Sequence, residues 1–193
     1  MATGTNGDDR LEAGDGGETP EGLGGKDGLS GGAGNNTLGG GTGANVMRGA
    51  GGDDIYIVDH KGDPSEEASS AAGVDRVFSS VSYTIGAWIE ELFLSGTAAI
   101  DADGNELDNV LRGNDGPNIL DGRAGADKMK GGEGDDTYIV DNVGDVVDET
   151  DAGGGVDSVF SRVSYVLGAN VENLYLSGTG AIDATGNALD NII

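Results

Sequence analysis

Cysteine is absent from the 193 residues of this chain, and histidine and tryptophan occur once each. Without cysteine, neither a disulfide framework nor a thiolate zinc site can form. The single histidine, His60, excludes a zinc site of the H-E-x-x-H kind within the chain. No apolar run approaches the roughly 18 residues of a membrane helix, and the N-terminus MATGTNGDDR lacks the features of a signal peptide. We therefore expect neither membrane insertion nor export by the general secretory route.

Apolar and basic residues are also scarce. Hydrophobic residues make up 36% of the chain and aromatic residues 5%, which limits the size of any conventional core. The 35 acidic residues against 10 basic ones give a formal charge of −25. Such a charge repels nucleic acid and anionic membranes, and it destabilises a compact state unless cations neutralise it. Divalent cations are the expected partners, and nucleic acid is not.

Glycine is abundant by contrast, with 39 residues, and it recurs with a period of nine. Six complete units occupy residues 4–57, four more occupy 104–139, and a partial unit begins at 186. Position 1 is Gly except at Ala13, and position 4 is Gly except at Leu107. Position 6 is always Asp, Asn or Glu. Position 8 is always apolar: Leu11, Pro20, Leu29, Leu38, Met47, Tyr56, Leu111, Leu120, Met129 and Tyr138.

A flexible glycine-rich linker would not hold one register over six consecutive units. The pattern G-G-x-G-x-D-x-U-x, where U is apolar, resembles the RTX (hemolysin-type) calcium-binding repeat. The first six residues of a unit can turn the chain, because Gly tolerates positive φ, and the last three can form a strand. Two units complete one turn, so loops that are two units apart stack on the same edge. The expected fold is all-β, a parallel β-roll (right-handed β-solenoid) with calcium ions between stacked turns.

Stacking brings the position-6 side chains into ladders. The expected ladders are Asp9, Asp27 and Asn45 on one edge of the first block, Glu18, Asn36 and Asp54 on the other, and the pairs Asn109 with Asp127 and Asn118 with Asp136 in the second block. Calcium prefers six to eight oxygen ligands, so one ion between neighbouring rungs gives about four ions in the first block and about two in the second. Asn contributes an oxygen without charge, and its sites are expected to be weaker.

The family resemblance implies that backbone carbonyl groups of the glycine loops supply the remaining ligands. The glycines concerned are Gly22, Gly31, Gly32, Gly34, Gly40, Gly41, Gly43, Gly49 and Gly52 in the first block, and Gly113, Gly116, Gly122, Gly125, Gly131 and Gly134 in the second. Because stacked acidic loops repel each other without cations, we expect the metal-free chain to be disordered.

We divide the chain into a first roll block (1–59), a β-rich spacer (60–103), a second block (104–141), a second spacer (142–185) and the truncated start of a third block (186–193). The spacers are copies, since the sequence GVDRVFSSVSY of the first recurs in the second as GVDSVFSRVSY. Their alternating apolar and polar residues predict strands that extend the stack. The acidic stretches that open the spacers, residues 60–72 and 142–154, are predicted to be surface excursions, with or without a short helix.

Patterns that suggest catalysis have simpler explanations. Gly28, Ser30 and Gly32 spell G-x-S-x-G, but the repeat frame already accounts for both glycines, and the strand–turn–helix context is missing. The run that begins at Asp101 resembles an EF-hand loop, yet Glu106 stands where that loop needs Gly. We expect no enzymatic activity within this chain.

The RTX resemblance implies a bacterial protein that leaves the cell unfolded through type I secretion machinery and folds outside on binding calcium. Its expected role is an extracellular folding and scaffold element. Two alternatives stay open. The chain is an accessory module of a secreted protease, lipase, glycanase or alginate epimerase, or it binds polysaccharide or a cell surface. Trp88, Tyr83 and Tyr165 are the hints for adhesion, although packing or simple exposure explains Trp88 as well.

Overall fold

The computed structural model describes residues 2–68, 73–149 and 154–193. Every regular element within these ranges is a β-strand. In the same part of the chain, no helix has the length and apolar character needed to span a membrane. The chain divides into two compact units, Met1–Leu92 and Phe93–Ile193, which are described separately.

The first unit is built from very short strands. Its strands are β1 (Arg10–Glu12), β2 (Gly28–Ser30), β3 (Thr37–Gly39), β4 (Val46–Arg48), β5 (Ile55–Val58), β6 (Ser65–Glu66), β7 (Arg76–Ser79), β8 (Tyr83–Thr84) and β9 (Glu91–Leu94), within which the division falls. One parallel sheet has the order β1-β2-β4-β6, and β3, β5 and β7 pair in another. Leu11 lies opposite Leu29, and Leu29 opposite Met47, so each turn consists of two nine-residue units.

The second unit repeats this arrangement. Its strands are β10 (Ala102–Asp103), β11 (Val110–Arg112), β12 (Ile119–Asp121), β13 (Lys128–Lys130), β14 (Thr137–Val140), β15 (Val146–Val147), β16 (Ser158–Ser161), β17 (Tyr165–Val166), β18 (Asn173–Leu176) and β19 (Ala184–Thr185). Parallel pairing runs through β10-β12-β14-β16-β18 in one sheet and β11-β13-β15 in the other, with β17 paired to β19. Because successive strands alternate between sheets, each unit is a parallel β-solenoid. The predicted fold class is confirmed.

The core of each unit is a column of position-8 side chains. The fully buried members, each no more than 1% exposed, are Leu29, Leu38, Met47, Tyr56, Leu111, Leu120, Met129 and Tyr138. Leu11, in the first rung, is only partly buried. A three-residue strand can bury one side chain and leave its neighbours nearer the surface, since successive side chains point to opposite faces. The predicted buried face is therefore present. It is one residue wide in the three-residue strands, whereas β5 and β14 each bury a second residue, Val58 and Val140.

The spacer strands extend the stack, as predicted. Strand β7 pairs with β5, and Val77 lies opposite Tyr56. In the second unit β16 pairs with β14, and Val159 lies opposite both Tyr138 and Leu174 of the next strand, β18. The number of residues between stacked positions also changes within the first spacer. Asn45 follows Asp27 by 18 residues, whereas Asp75 follows Asp54 by 21 residues.

The prediction of surface excursions at the start of each spacer is wrong for β6 and β15, although the turn residues 60–62, 143 and 144 are exposed. Asp63 and Ser65 are 1% and 3% exposed, and β6 continues the sheet by pairing with β4. Asp145 is 5% exposed, and β15 pairs with β13 in the same manner. Residues 69–72 and 150–153 of these stretches lie outside the described part. The stretches therefore supply further rungs of the roll.

Two neighbouring residues of β12 test this architecture. Leu120 is fully buried, whereas Ile119 is 46% exposed. In saturating calcium, Leu120→Ala should lower the free energy of unfolding by about 2–5 kcal/mol, because it leaves a cavity between rungs. Ile119→Ala should change it by less than about 1 kcal/mol. Denaturant unfolding followed by circular dichroism measures both, and equal effects would contradict the assigned faces of β12.

Candidate metal centre

One edge of the first unit carries a ladder of acidic side chains joined by hydrogen bonds. The backbone N–H of Asp9 donates to Oδ1 of Asp27 at 2.8 Å, and that of Asp27 donates to Oδ1 of Asn45 at 2.9 Å. The N–H of Asn45 donates to Oδ1 of Asp63 at 2.8 Å, so the ladder extends one rung beyond the predicted residues. Each side chain is thereby fixed against the rung before it.

The opposite edge carries a second ladder. The N–H groups of Glu18 and Asn36 donate to Oδ1 of Asn36 and Asp54 at 2.9 and 2.6 Å. The N–H of Asp54 donates to Oδ1 of Asp75 at 2.7 Å, and that of Asp75 donates to Oε2 of Glu90 at 2.8 Å. Asp75 and Glu90 were not among the predicted ligands.

The second unit has the same two ladders. Its hydrogen bonds run from Asn109 to Asp127 (2.7 Å), Asp127 to Asp145 (3.1 Å), Asn118 to Asp136 (2.7 Å), Asp136 to Asp157 (2.8 Å) and Asp157 to Glu172 (2.7 Å). Every stacked pair that the nine-residue step predicts is therefore in contact in the structure. The role of these side chains as calcium ligands remains a prediction.

These ladders leave carboxylate oxygens buried without hydrogen-bond partners. Among the described residues this holds for Oδ2 of Asp27, Asp54, Asp75, Asp127 and Asp136, whose side chains are at most 2% exposed. A buried, unpaired carboxylate oxygen is costly, and buried charges are normally paired or coordinate a metal. Each oxygen is held in place because its sister oxygen, Oδ1, accepts a backbone N–H. The donor set suits a hard cation such as Ca²⁺.

The position-1 glycines leave the space that such a cation requires. A Cβ on Gly22 would lie 2.5 Å from the carbonyl oxygen of Gly40 and closer still to Oδ2 of Asp27. A Cβ on Gly113 would meet the carbonyl oxygen of Gly131 and Oδ1 of Asn118 in the same way. Carbonyl and side-chain oxygens therefore line one small space at each of these two glycines, whereas at Gly31 and Gly40 the amide nitrogens of Asn36 and Asn45 lie closest among side-chain atoms. The residues present fit a calcium ion, and a larger side chain at position 1 would fill its place.

The remaining predicted glycines allow the loops to approach each other. At Gly43 and Gly125 φ is +123° and +132°, a conformation that favours glycine. A Cβ would run into the backbone of a neighbouring loop at Gly32, Gly34, Gly41, Gly43, Gly52, Gly116, Gly125 and Gly134. The other predicted position-1 glycines, Gly31, Gly40, Gly49, Gly122 and Gly131, each lie against the position-6 side chain of their own unit.

Burial changes the acidity of the ladder carboxyls. Desolvation, together with neighbouring carboxylates, raises the pKa of Asp75, Asp127 and Asp136 to about 7, although backbone N–H donors oppose the shift. In a metal-free fold these carboxyls are therefore about half protonated near pH 7, where an ordinary aspartate is fully ionised. A divalent cation would stabilise the charged form in its place.

Two of the missed side chains kept the expected step. Asp63 follows Asn45 by 18 residues, and Asp145 follows Asp127 by the same step. The signal was therefore in the sequence, although neither unit keeps its glycines. Asp75 follows Asp54 by 21 residues, and a fixed step of nine cannot find it.

The aromatic hints of adhesion have different environments. Tyr83 is 8% exposed, and its hydroxyl donates to the carbonyl oxygen of Asp63 at 2.7 Å. The Tyr165 hydroxyl accepts the N–H of Val147 at 3.2 Å. Trp88 is 39% exposed and has a φ of +67°. Two of the three rings therefore serve the internal structure of their units.

Comparison with known proteins supports the calcium interpretation. The family model of the RTX calcium-binding nonapeptide repeat matches in four copies, over residues 2–18, 21–56 and 103–138. No curated protein matches the chain. The matched ranges contain every position-6 side chain of the predicted ladders, and they end before Asp63 and Asp145.

Proposed function

We propose, on the premise that this chain belongs to the RTX calcium-binding repeat family, that its solenoid units fold as calcium enters and then act as an extracellular scaffold. The observation that carries the proposal is the set of buried Oδ2 atoms that no hydrogen bond satisfies, including those of Asp27 and Asp127. Their positions beside carbonyl oxygens supply the ligand type that calcium prefers. Calcium binding follows from the family, and its coupling to folding and secretion is the proposal.

Calcium binding would depend on three groups of residues in turn. Backbone N–H groups orient each position-6 carboxylate through Oδ1, which directs Oδ2 toward the space left by a position-1 glycine. The ion would supply positive charge between rungs that otherwise repel each other. The bridged rungs then hold the position-8 side chains in register, and the buried column forms.

Such coupling would give export a direction. RTX repeats are typical of secreted bacterial proteins, and extracellular calcium modules have dissociation constants of about 10⁻⁴ to 10⁻³ M. Sites in that range are empty at cytosolic calcium concentrations and filled outside the cell. We infer that the chain passes through type I secretion machinery unfolded and folds on arrival outside.

We propose that this chain has no catalytic role of its own. Ser30 lies within β2, and its hydroxyl donates to the carbonyl oxygen of Gly31 at 3.3 Å. The internal hydrogen bonds of Tyr83 and Tyr165 likewise give no support to polysaccharide adhesion. We propose that any enzymatic activity of a parent protein resides outside this chain.

A calcium titration of a matched pair of variants tests the function. Asp127 is fully buried in a ladder, whereas Asp148 is exposed in the same unit. Asp127→Asn should weaken calcium binding at the adjoining rungs by at least about tenfold, because it removes one unit of ligand charge. Asp148→Asn should leave binding unchanged. Isothermal calorimetry measures both, and failure of the unaltered chain to bind millimolar calcium would refute the proposal.

A further inference from the structure

A cluster of three carboxylates lies in the first unit where the spacing between stacked residues changes from 18 to 21 residues. One ligand oxygen from each of Asp54, Glu67 and Asp75 lies within 4.8 Å of the others. Asp54 is the last position-6 residue of the first block, and Glu67 and Asp75 lie beyond the residues that the repeat family matches. Asp54 and Asp75 are 1% and 0% exposed, and Glu67 is partly buried. The cluster therefore differs in composition from the repeat loops.

Each of these carboxylates has one oxygen without a hydrogen-bond partner. Oδ1 of Asp75 accepts the N–H of Asp54, and Oε1 of Glu67 accepts the hydroxyl of Tyr56. Oδ2 of Asp54, Oε2 of Glu67 and Oδ2 of Asp75 are buried and accept no hydrogen bond. Three carboxylates in such proximity, each with one unpaired oxygen, repel each other strongly at low dielectric. The arrangement calls for a cation of high charge.

Tyr56 explains how Glu67 enters the cluster. The Tyr56 hydroxyl accepts the N–H of Gly49 at 2.8 Å and donates to Glu67. The other fully buried position-8 residues of the first unit are Leu or Met, which cannot make this link. Tyr56 thus serves the hydrophobic column with its ring and positions Glu67 with its hydroxyl.

The second unit contains a related arrangement, in which the three carboxylates do not all lie within the same short distance of one another. Tyr138 donates to Oε1 of Glu149, which also accepts the N–H of Gly131 at 3.1 Å. Oε2 of Glu149 and Oδ2 of Asp136 are again buried without partners, and Asp157 accepts the N–H of Asp136 at 2.8 Å. Because the two units are separate copies, the recurrence argues for a function rather than an accident of packing.

We propose that Asp54, Glu67 and Asp75 form a divalent-cation site tighter than those of the repeat loops, and that Asp136, Glu149 and Asp157 form its counterpart. The proposal rests on the proposed calcium-binding function and adds two sites to it. A repeat-loop pair such as Asn36 with Asp54 offers one charged side chain, whereas each cluster offers three. Calcium affinity rises with the number of charged ligands and with the rigidity of the site. These sites fill first, at the end of each block where the repeat pattern stops.

Glutamine variants of the two glutamates test the proposal on the full chain. Glu67→Gln and Glu149→Gln keep side-chain volume and an oxygen ligand but remove one charge from each cluster. Calorimetry with Ca²⁺ should show about two tight ions in the unaltered chain, one in either single variant and none in the double variant. Glu12→Gln is the control, because Glu12 is an exposed residue of β1 paired to Arg10 at 3.1 Å. It should leave the tight class intact.

Terbium provides a second readout. The adjoining tyrosine should sensitise the luminescence of Tb³⁺ bound beside Glu67 or Glu149. Each glutamine variant should weaken Tb³⁺ binding at its own cluster by at least about tenfold. Circular dichroism at millimolar calcium shows whether each variant folds. If the double variant does not fold, the single variants alone test the proposal. If both single variants still bind two tight ions, as the unaltered chain does, the cluster proposal alone is overturned. Absence of calcium binding by the unaltered chain overturns the proposed function as well.

Discussion

Excess EDTA should convert the chain from a cooperatively melting β-protein into a disordered one. The reason lies in the ladders, where buried carboxylate oxygens have no hydrogen-bond partner. These are Oδ2 of Asp54 and Asp75 in the first unit and of Asp127 and Asp136 in the second. The hydrophobic column contributes only one or two buried apolar side chains per strand, so side-chain packing alone cannot offset the repulsion and the ordering of the glycine loops. Metal binding to a site that exists only in the folded state is itself folding free energy.

Far-UV circular dichroism and scanning calorimetry measure this effect. The β signal and the melting transition should disappear in chelator and return on addition of millimolar calcium. Sodium chloride at matched ionic strength is the control for screening, since it weakens repulsion between exposed charges but coordinates nothing. Magnesium is a second control, because it is smaller and demands octahedral geometry. A chain that melts cooperatively with the same β content in EDTA would disprove calcium-coupled folding.

The ladders could be predicted from sequence because their spacing is set by one repeated unit. Wherever nine residues form one loop and one short strand, position 6 of every second unit must stack, and Asp9 with Asp27 follows directly. Asp63 keeps this step, but its unit has Val58 at position 1 and Lys61 at position 4 in place of glycine. A repeat identified by its glycines therefore ends there, although the stacking of strands continues.

The tricarboxylate clusters could not be predicted in the same way. Asp75 follows Asp54 by 21 residues, and the length of that connection is not encoded in the nine-residue pattern. Glu67 reaches the cluster through the hydroxyl of Tyr56, which in the sequence reads as one more apolar residue at position 8. Periodicity locates residues that repeat, whereas contacts between a repeat and its flanking strand require the folded structure.

Lowering the pH from 8 to 6 should weaken calcium binding by about tenfold for each ligand carboxyl whose pKa is near 7. The pKa of Asp75, Asp127, Asp136 and Glu149 is raised to about 7, chiefly by desolvation on burial. At pH 6 most of these carboxyls in a metal-free fold carry a proton that calcium must displace, whereas at pH 8 most do not. Calorimetric titrations at both pH values measure the affinities, and calorimetry in buffers of different ionisation enthalpy should detect proton release.

Without calcium the pH dependence of stability should have the opposite sign. The folded pKa of Asp127, about 7, lies above its ordinary value of 3.8, so the metal-free fold binds protons more tightly than the unfolded chain. The resulting stabilisation is fully present below about pH 3.8 and is lost as the pH rises through about 7. Acidification in EDTA should therefore restore part of the β signal, while acidification in limiting calcium should diminish it. Parallel responses in the two conditions would show that protons and calcium do not compete for the same buried oxygens.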